Sequence, residues 1–340
     1  MKNIRNMISL ILVIVFAVFV SNYDESTQAA AAISQNTVSI SGESFGIKMH
    51  TQGVLVISAA AVQTENGEKN PAGDLGLRAG DVITHIGGKE VKSCAAVSEA
   101  IEASGGKELI ITLRRGNEEK SVALTPVLCS SSGTYKAGLW IRDSSAGIGT
   151  VTFYDKSGNF GALGHGVTDA DTQTLLPLRN GEAVQSEIIG FSQAKKGVAG
   201  ELYGVLTNQK IGSITKNTEG GVYGKTDSPQ GNLAYIPVAQ PKEIKSGKAT
   251  LLTTIDEKGV QEFEVNIQFI NMLSTGYKDM IVKVTDKKLL EKTGGILQGM
   301  SGSPIVQNGK FVGALTHVFL NRPDLGYAVF GYKMVNLAKQ

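Results

Sequence analysis

From about Thr125 to the C-terminus, short apolar segments alternate with polar stretches punctuated by glycine. The segments are Gly147–Tyr154, Gly161–Leu163, Gly200–Leu206, Gly212–Ile214, Ala249–Thr254, Glu262–Ile270, Met280–Val284, Pro304–Val306 and Val312–Val318. Most have strand length, and several alternate apolar with polar positions, the period of a half-buried strand. The only helical turn expected in this part lies near Lys287–Lys292. Such a series reads as a β-barrel or paired barrels, and about 210 residues suit two six-stranded barrels with a cleft between them.

Before Thr125 the pattern differs. Val54-Leu55-Val56-Ile57 and Glu108–Leu113 read as strands, and Ala95–Ala103 carries apolar residues at helical spacing, closed by Gly105-Gly106. At the start, Lys2 and Arg5 precede an apolar run from Met7 to Val20, broken only by Ser9. As a helix this run spans about 21 Å, short of the roughly 30 Å hydrocarbon core. Residues 1–22 are therefore expected to be a signal peptide, with a signal-anchor at the membrane as the alternative. The basic flank puts the body of the protein outside the cytoplasm. Residues 23–40 are polar, include Ala29–Ala32, and read as a flexible linker.

Composition changes this picture little. With 340 residues and 41% apolar content, the chain has room for two domains. Its 41 glycines against 6% aromatics favour turn-rich β structure. Lys and Arg (33) nearly balance Asp and Glu (31) without a basic stripe, so no nucleic-acid partner is expected. Cys94 and Cys129 make no disulfide framework; one pair or two free thiols both fit. Neither a zinc motif, a P-loop nor a dinucleotide fingerprint is present, so no metal or cofactor is expected.

The chemistry concentrates in two glycine-rich turns, Gly164-His165-Gly166 and Gly299-Met300-Ser301-Gly302-Ser303-Pro304. A serine hydroxyl is a poor nucleophile until a neutral imidazole takes its proton. Flanking glycines let a substrate carbonyl approach and leave backbone N–H groups, by analogy with known serine-protease turns those of Gly299 and Ser301, to hold the developing oxyanion. Gly302 suits a turn at Ser301 better than Pro304 suits one at Ser303. The lipase-type elbow Gly-x-Ser-x-Gly fails because position 303 is serine. Of the four histidines, His50 and His85 lie in the N-terminal unit, and His317 reads as a packed structural residue in an apolar strand. The glycine-flanked turn at His165 would place an imidazole at a strand end without crowding, which makes His165 the candidate base. An acid that orients the imidazole could be Asp169, Asp171, Asp227, Asp256, Asp279 or Asp286; spacing alone does not choose.

Three resemblances add to this reading. The serine turn and the order histidine, acid, serine resemble chymotrypsin-like proteases. The run from Pro71-Ala72 through Gly76-Leu77, Gly80-Asp81, Ile83 and Ile86-Gly87-Gly88 resembles a PDZ domain, covering residues 41–127. This implies a groove that takes an extended peptide tail as an added strand. Phe45-Gly46-Ile47 matches the position of the loop that grips the terminal carboxylate.

The segments Phe160–Asp169, Val284–Lys310 and Gly313–Phe319, with the order membrane segment, PDZ unit, peptidase, are very similar to the stage IV sporulation protein B family of secreted serine peptidases. That resemblance implies His165 as base, Asp286 as orienting acid and Ser301 as nucleophile. An aspartate just before a helical turn is equally a helix cap, so a structural reading of Asp286 stands beside the catalytic one.

The expected fold is thus mainly β, a PDZ domain followed by a chymotrypsin-like double β-barrel peptidase over residues 128–340. The implied function is self-processing proteolysis in sporulation signalling. The enzyme would act in the space between the forespore membranes, cutting its own N-terminal region and a regulator of a membrane-embedded protease that activates a mother-cell sigma factor. The competing expectation is a non-catalytic PDZ scaffold that binds a peptide tail in the envelope.

Overall fold

The computed structural model describes residues 37–226 and 234–340. The chain enters through strand β1 (Ser44–Ala59), then builds β2 (Val82–Ile86), helix α1 (Cys94–Ala103), β3 (Leu109–Arg115) and β4 (Glu118–Leu124). It continues as β5 (Leu139–Tyr154), β6 (Asn159–Ala162), β7 (Leu178–Ser192), β8 (Gly200–Thr218) and β9 (Gly221–Lys225). The last third holds β10 (Gly247–Thr254), β11 (Val260–Ile270), β12 (Met280–Val284) and α2 (Lys287–Thr293). There follow β13 (Pro304–Gln307), β14 (Lys310–Phe319), β15 (Arg322–Phe330) and α3 (Gly331–Lys339).

Two closed rings form. In the first, the leading half of β1 pairs with β5 and β7, and β6, β9 and β8 complete the circuit. In the second, β10, β11, β12, β15, β14 and β13 close on one another. Closure leaves no strand edge within either ring unpaired. Alternating positions fill the interiors: Phe45, Ile47, Met49, Val151, Phe160 and Ile214 in the first, Leu251, Val265, Ile267, Val282, Val312 and Leu315 in the second. The mainly β, double-barrel expectation holds.

The PDZ unit sits astride the first ring. The trailing half of β1 pairs with β2, which leads through β3 to β4, and α1 packs over a core of Val54, Val56, Leu77, Ile83, Val97, Ile101, Ile111 and Leu113. Buried Asp81 of the Gly-Asp signature accepts the Arg78 N–H and pairs with Arg115 at 2.7 Å, tying that turn to β3. β1 and β5 run through both units, paired from Leu139↔Ala59 to Thr150↔Ser44 with register shifts after Trp140 and after Arg142.

This sharing corrects the expected boundary of the PDZ domain at residue 41. Ser44–Thr51 is a barrel strand, and Leu139–Arg142, expected in the peptidase, is a strand of the PDZ unit. Phe45-Gly46-Ile47 is consequently no peptide-gripping loop. Phe45 is fully buried and Ile47 nearly so, and a Cβ on Gly46 would lie 2.5 Å from Leu206 and 2.7 Å from Val184. The end of the expected linker also differs: Thr37–Ile40 pairs with β5 and with Tyr235–Pro237. The C-terminal helix α3 was not evident from the sequence pattern. Cys94 and Cys129 are free thiols. The signal-peptide reading and most of the linker lie outside the described residues, among which no helix is long and apolar enough to cross a membrane.

Candidate active site

His165 follows β6 in a tight turn where Leu163 adopts φ +66° and Gly164 φ +68°. A positive φ at leucine is strained, and such strain persists only where surroundings impose it. Here Leu163 donates its N–H to the Thr150 carbonyl. Beyond His165 the loop is clamped by Asn217, which accepts the Val167 N–H and donates to the Val167 and Leu176 carbonyls. Asp169 caps its far end, accepting the Asp171 and Thr172 N–H groups and pairing with Arg142.

Ser301 sits in the turn between α2 and β13. Gly302, at φ +97°, lets this turn press against the histidine loop: a Cβ there would lie 2.2 Å from the Thr150 oxygen and 2.5 Å from the Leu163 nitrogen. Three bonds from β5 hold the turn. Thr150 donates its hydroxyl to the Gly299 carbonyl (2.9 Å) and its N–H to the Ser301 carbonyl (3.1 Å), and the Thr152 hydroxyl reaches the Gly302 carbonyl (2.7 Å). The N–H groups of Gly299 and Ser301 have no partner among the described residues.

His165, Gly299 and Ser301 thus line one cleft of about 440 Å³ between the barrels. Its walls are aliphatic, among them Ile148, Ile296 and Val318, and carry no carboxylate. The His165 Nδ1–H donates to the Gly166 carbonyl at 2.8 Å, which fixes the tautomer and leaves Nε2 with its lone pair. Burial lowers the imidazole's pKa, opposed by that carbonyl, so the ring is neutral at neutral pH. The Ser301 hydroxyl donates to the Thr316 carbonyl at 2.6 Å. Ser303 is fully buried and donates to the Thr253 hydroxyl at 2.8 Å, which removes it as a nucleophile.

The structure does not bring Asp286 to this cleft. Its carboxylate caps α2, accepting the Leu289 N–H at 3.0 Å and the Glu264 N–H at 3.4 Å. The other acids are also engaged elsewhere: Asp171 pairs with Arg142, Asp256 with Lys292, and buried Asp279 with Lys333, while Asp227 lies outside the described residues. Among those residues no carboxylate bonds His165. The acid inferred by resemblance is therefore, in this fold, a helix cap, and a backbone carbonyl orients the imidazole. No cluster of metal-binding side chains occurs among the described residues.

His317 is the residue the sequence reading missed. It is exposed at the cleft and stacks on His165, ring centroids 4.7 Å apart. Partial burial, then the neighbouring His165 and Lys278, push its pKa down to about 4. Nothing in its apolar strand, Ala314–Phe319, distinguishes a histidine facing a cleft from one facing the core.

A second cleft, of about 670 Å³, lies between α1 and the start of β5. One edge of Leu139–Arg142 pairs with β1; the other has no strand partner among the described residues. Lys136–Gly138 leads into this edge beside the C-terminal end of α1, where Glu102 accepts the Tyr135 N–H. This is the geometry of a strand-addition groove, roughly ninety residues downstream of the loop expected at Phe45–Ile47.

Parts of the chain are similar to known proteins. The PDZ domain profile matches residues 67–115. Serine protease HTRA1 of Xenopus laevis is 46% identical over 56 residues, 16% of this chain and 12% of that protein. HTRA2 of Drosophila virilis is 44% identical over 57 residues, so the chain spans about an eighth of the length of these relatives. Among solved structures, the chain is similar to the PDZ domain of the SdrC-like protein from Listeria monocytogenes (26% identity, TM-score 0.22, covering 26% of this chain and 87% of that one). It is also similar to the HtrA-type protease AlgW bound to a tripeptide (13% identity, TM-score 0.33, covering 57% of this chain and 56% of that one). The profile of the SpoIVB peptidase S55 family matches residues 133–335, both barrels beyond the shared β1, and the chain belongs to that family of serine peptidases.

Proposed function

We propose that the chain cleaves peptide bonds through an acyl-enzyme on Ser301, with His165 Nε2 as general base and the Gly299 and Ser301 N–H groups as the oxyanion hole. The observation that carries this reading is the meeting of these residues in one carboxylate-free cleft, with a neutral imidazole and two unpaired backbone donors. In the first step the Ser301 hydroxyl leaves the Thr316 carbonyl and yields its proton to His165 as oxygen attacks the scissile carbon. The imidazolium then protonates the leaving amine, and water repeats the sequence to release the acid. The Gly166 carbonyl keeps Nδ1 protonated throughout and steadies the charged ring less than a carboxylate would.

Family membership supports the finer reading: a secreted enzyme in sporulation signalling, acting between the forespore membranes on its own N-terminal region and on a regulator of a membrane-embedded protease. A peptide tail would occupy the PDZ groove. The test is intact mass over time for residues 23–340 and for its Ser301→Ala twin. Shortening of the parent alone, within residues 23–40, is the expected result. A parent that stays whole and takes no fluorophosphonate label would sink the proposal and favour the scaffold.

A further inference from the structure

The catalytic cleft is lined by two histidines, His165 and His317, and serine chemistry needs one as base. When His165 takes the Ser301 proton it becomes an imidazolium, and that charge must be steadied. The partner its ring has for this is the Gly166 carbonyl, 2.8 Å from Nδ1. A carbonyl dipole does this less well than a carboxylate.

His317 supplies what the carbonyl lacks. Its ring lies on His165 with centroids 4.7 Å apart and planes inclined by 38°. An aromatic face within about 6 Å of a cation attracts it, more strongly where water is excluded. With its pKa pushed down to about 4, chiefly by burial, His317 presents a neutral ring to the His165 cation. Lys278, from the segment before β12, also acts on His317, and its Nζ lies over the Tyr327 ring of β15 at 5.0 Å. No carboxylate lines the cleft.

Strand β14 is shaped to present this ring. Between the pairs Leu315↔Ala328 and Val318↔Gly326 it takes three steps against two on β15, so Thr316 and His317 form a bulge. Bulges beside active sites re-aim side chains. Consecutive residues of this bulge serve the two working groups. The Thr316 carbonyl accepts the Ser301 hydroxyl at 2.6 Å, and the His317 ring covers the base. Gly164 seats the His165 loop at the same place, since a Cβ there would lie 2.8 Å from Thr316 Cγ2 and 3.0 Å from Val329 Cγ1.

We propose that His317 is a positioning residue for the base: the face of its ring, aimed by the bulge in β14, stabilises the imidazolium that forms on His165. It thereby takes part of the role that a carboxylate fills in a serine–histidine–acid triad. This rests on the proposed Ser301 chemistry, and His317 acts through His165.

The test compares two replacements at this exposed position. Phenylalanine keeps an aromatic face over His165, and leucine keeps apolar bulk without one. His317→Phe should hold kcat within about threefold of the parent, and His317→Leu should lose about tenfold at similar KM. Losing the face favours the neutral imidazole. The acid limb of kcat/KM should therefore lie about half to one pH unit lower in His317→Leu than in His317→Phe. The same order should appear without catalysis. In a Ser301→Ala background, the His165 ring proton resonance should titrate at lower pH with leucine at position 317 than with phenylalanine. Urea unfolding of each variant verifies that both fold. Equal kcat and equal His165 titration in the two variants would overturn the proposal, since packing alone would then account for the contact. A parent that takes no fluorophosphonate label would sink the Ser301 reading, and the resonance titration would still decide the stacking.

Discussion

The catalytic cleft and the PDZ groove lie along the same strand, yet they relate to the sequence in opposite ways. The cleft is built by two turns whose working parts are local: the glycines that shape each turn stand next to the residue it presents. The groove is built by α1 and by Leu139–Arg142, a segment well beyond the PDZ signature and fused to the barrel strand. A local motif announces its site wherever the chain carries it. A site made by strand pairing is announced only by the pairing. The predictions that follow press on this contrast.

The largest effect is expected at the serine turn. Ser301→Ala should lower kcat by roughly 10⁴-fold or more, since the oxyanion donors alone retain little catalysis. Ser303→Ala, two residues away, should leave kcat within about threefold and cost about 1–2 kcal/mol of stability, because the buried Thr253 hydroxyl loses its donor. Burst titration and urea unfolding of both variants check this. Comparable loss of kcat in both would erase the distinction between them.

The next effect separates barrel from groove. Phe45 is wholly enclosed in the first barrel, edge-on to Phe160 with ring centroids 6.3 Å apart. Phe45→Ala should cost about 3–5 kcal/mol of unfolding free energy. A Phe45→Leu variant, which keeps the fold, should bind C-terminal peptides at Trp140 like the parent. Were Phe45 part of a carboxylate-gripping loop, the leucine variant would lose that binding while its stability hardly changed.

A smaller effect concerns pH. The His165 pKa lies below the ordinary histidine value, chiefly through burial. The acid limb of kcat/KM should therefore fall below about pH 6.5, where the free side chain titrates. His317, at about 4, stays neutral through the same range and adds no second limb above it. Both groups bind protons more weakly when folded. Their neutral-state contribution to stability is present above about pH 6.5 and is lost as pH falls through their lowered values. Chemical denaturation between pH 7 and 4 measures the second point, and a limb at or above pH 6.5 would contradict the first.

Legibility follows the same division. The barrels were readable because period-two segments such as Met280–Val284 bury alternate residues. That Ser301 and His165 meet in one cleft agrees with the two glycine-rich turns, since the glycines around them leave few other uses for a serine and a histidine. His317 was not, since an apolar strand looks the same whether its one polar residue faces the core or a cleft. The groove was not, because Phe45-Gly46-Ile47 and Lys136–Gly138 both precede apolar strands, and only register decides which strand stands beside α1.

Asp286 is the finest test, because two physical readings of one residue predict different losses. As a helix cap it satisfies the Leu289 N–H, and the helix it starts ends at Gly294 in the left-handed conformation. Removing a cap of this kind costs about 1 kcal/mol. Asp286→Ala should therefore unfold slightly earlier in urea and keep kcat within about threefold. Asp286→Ser, which can still cap, should match the parent in both. An orienting acid behaves otherwise, since replacing it leaves the wrong tautomer and lowers kcat by orders of magnitude with little change in stability. The Gly166 carbonyl already fills that role at His165, which is why the smaller loss is expected here. A kcat lowered a hundredfold or more in both Asp286→Ala and Asp286→Ser would show that the working enzyme rearranges to bring α2 to the cleft.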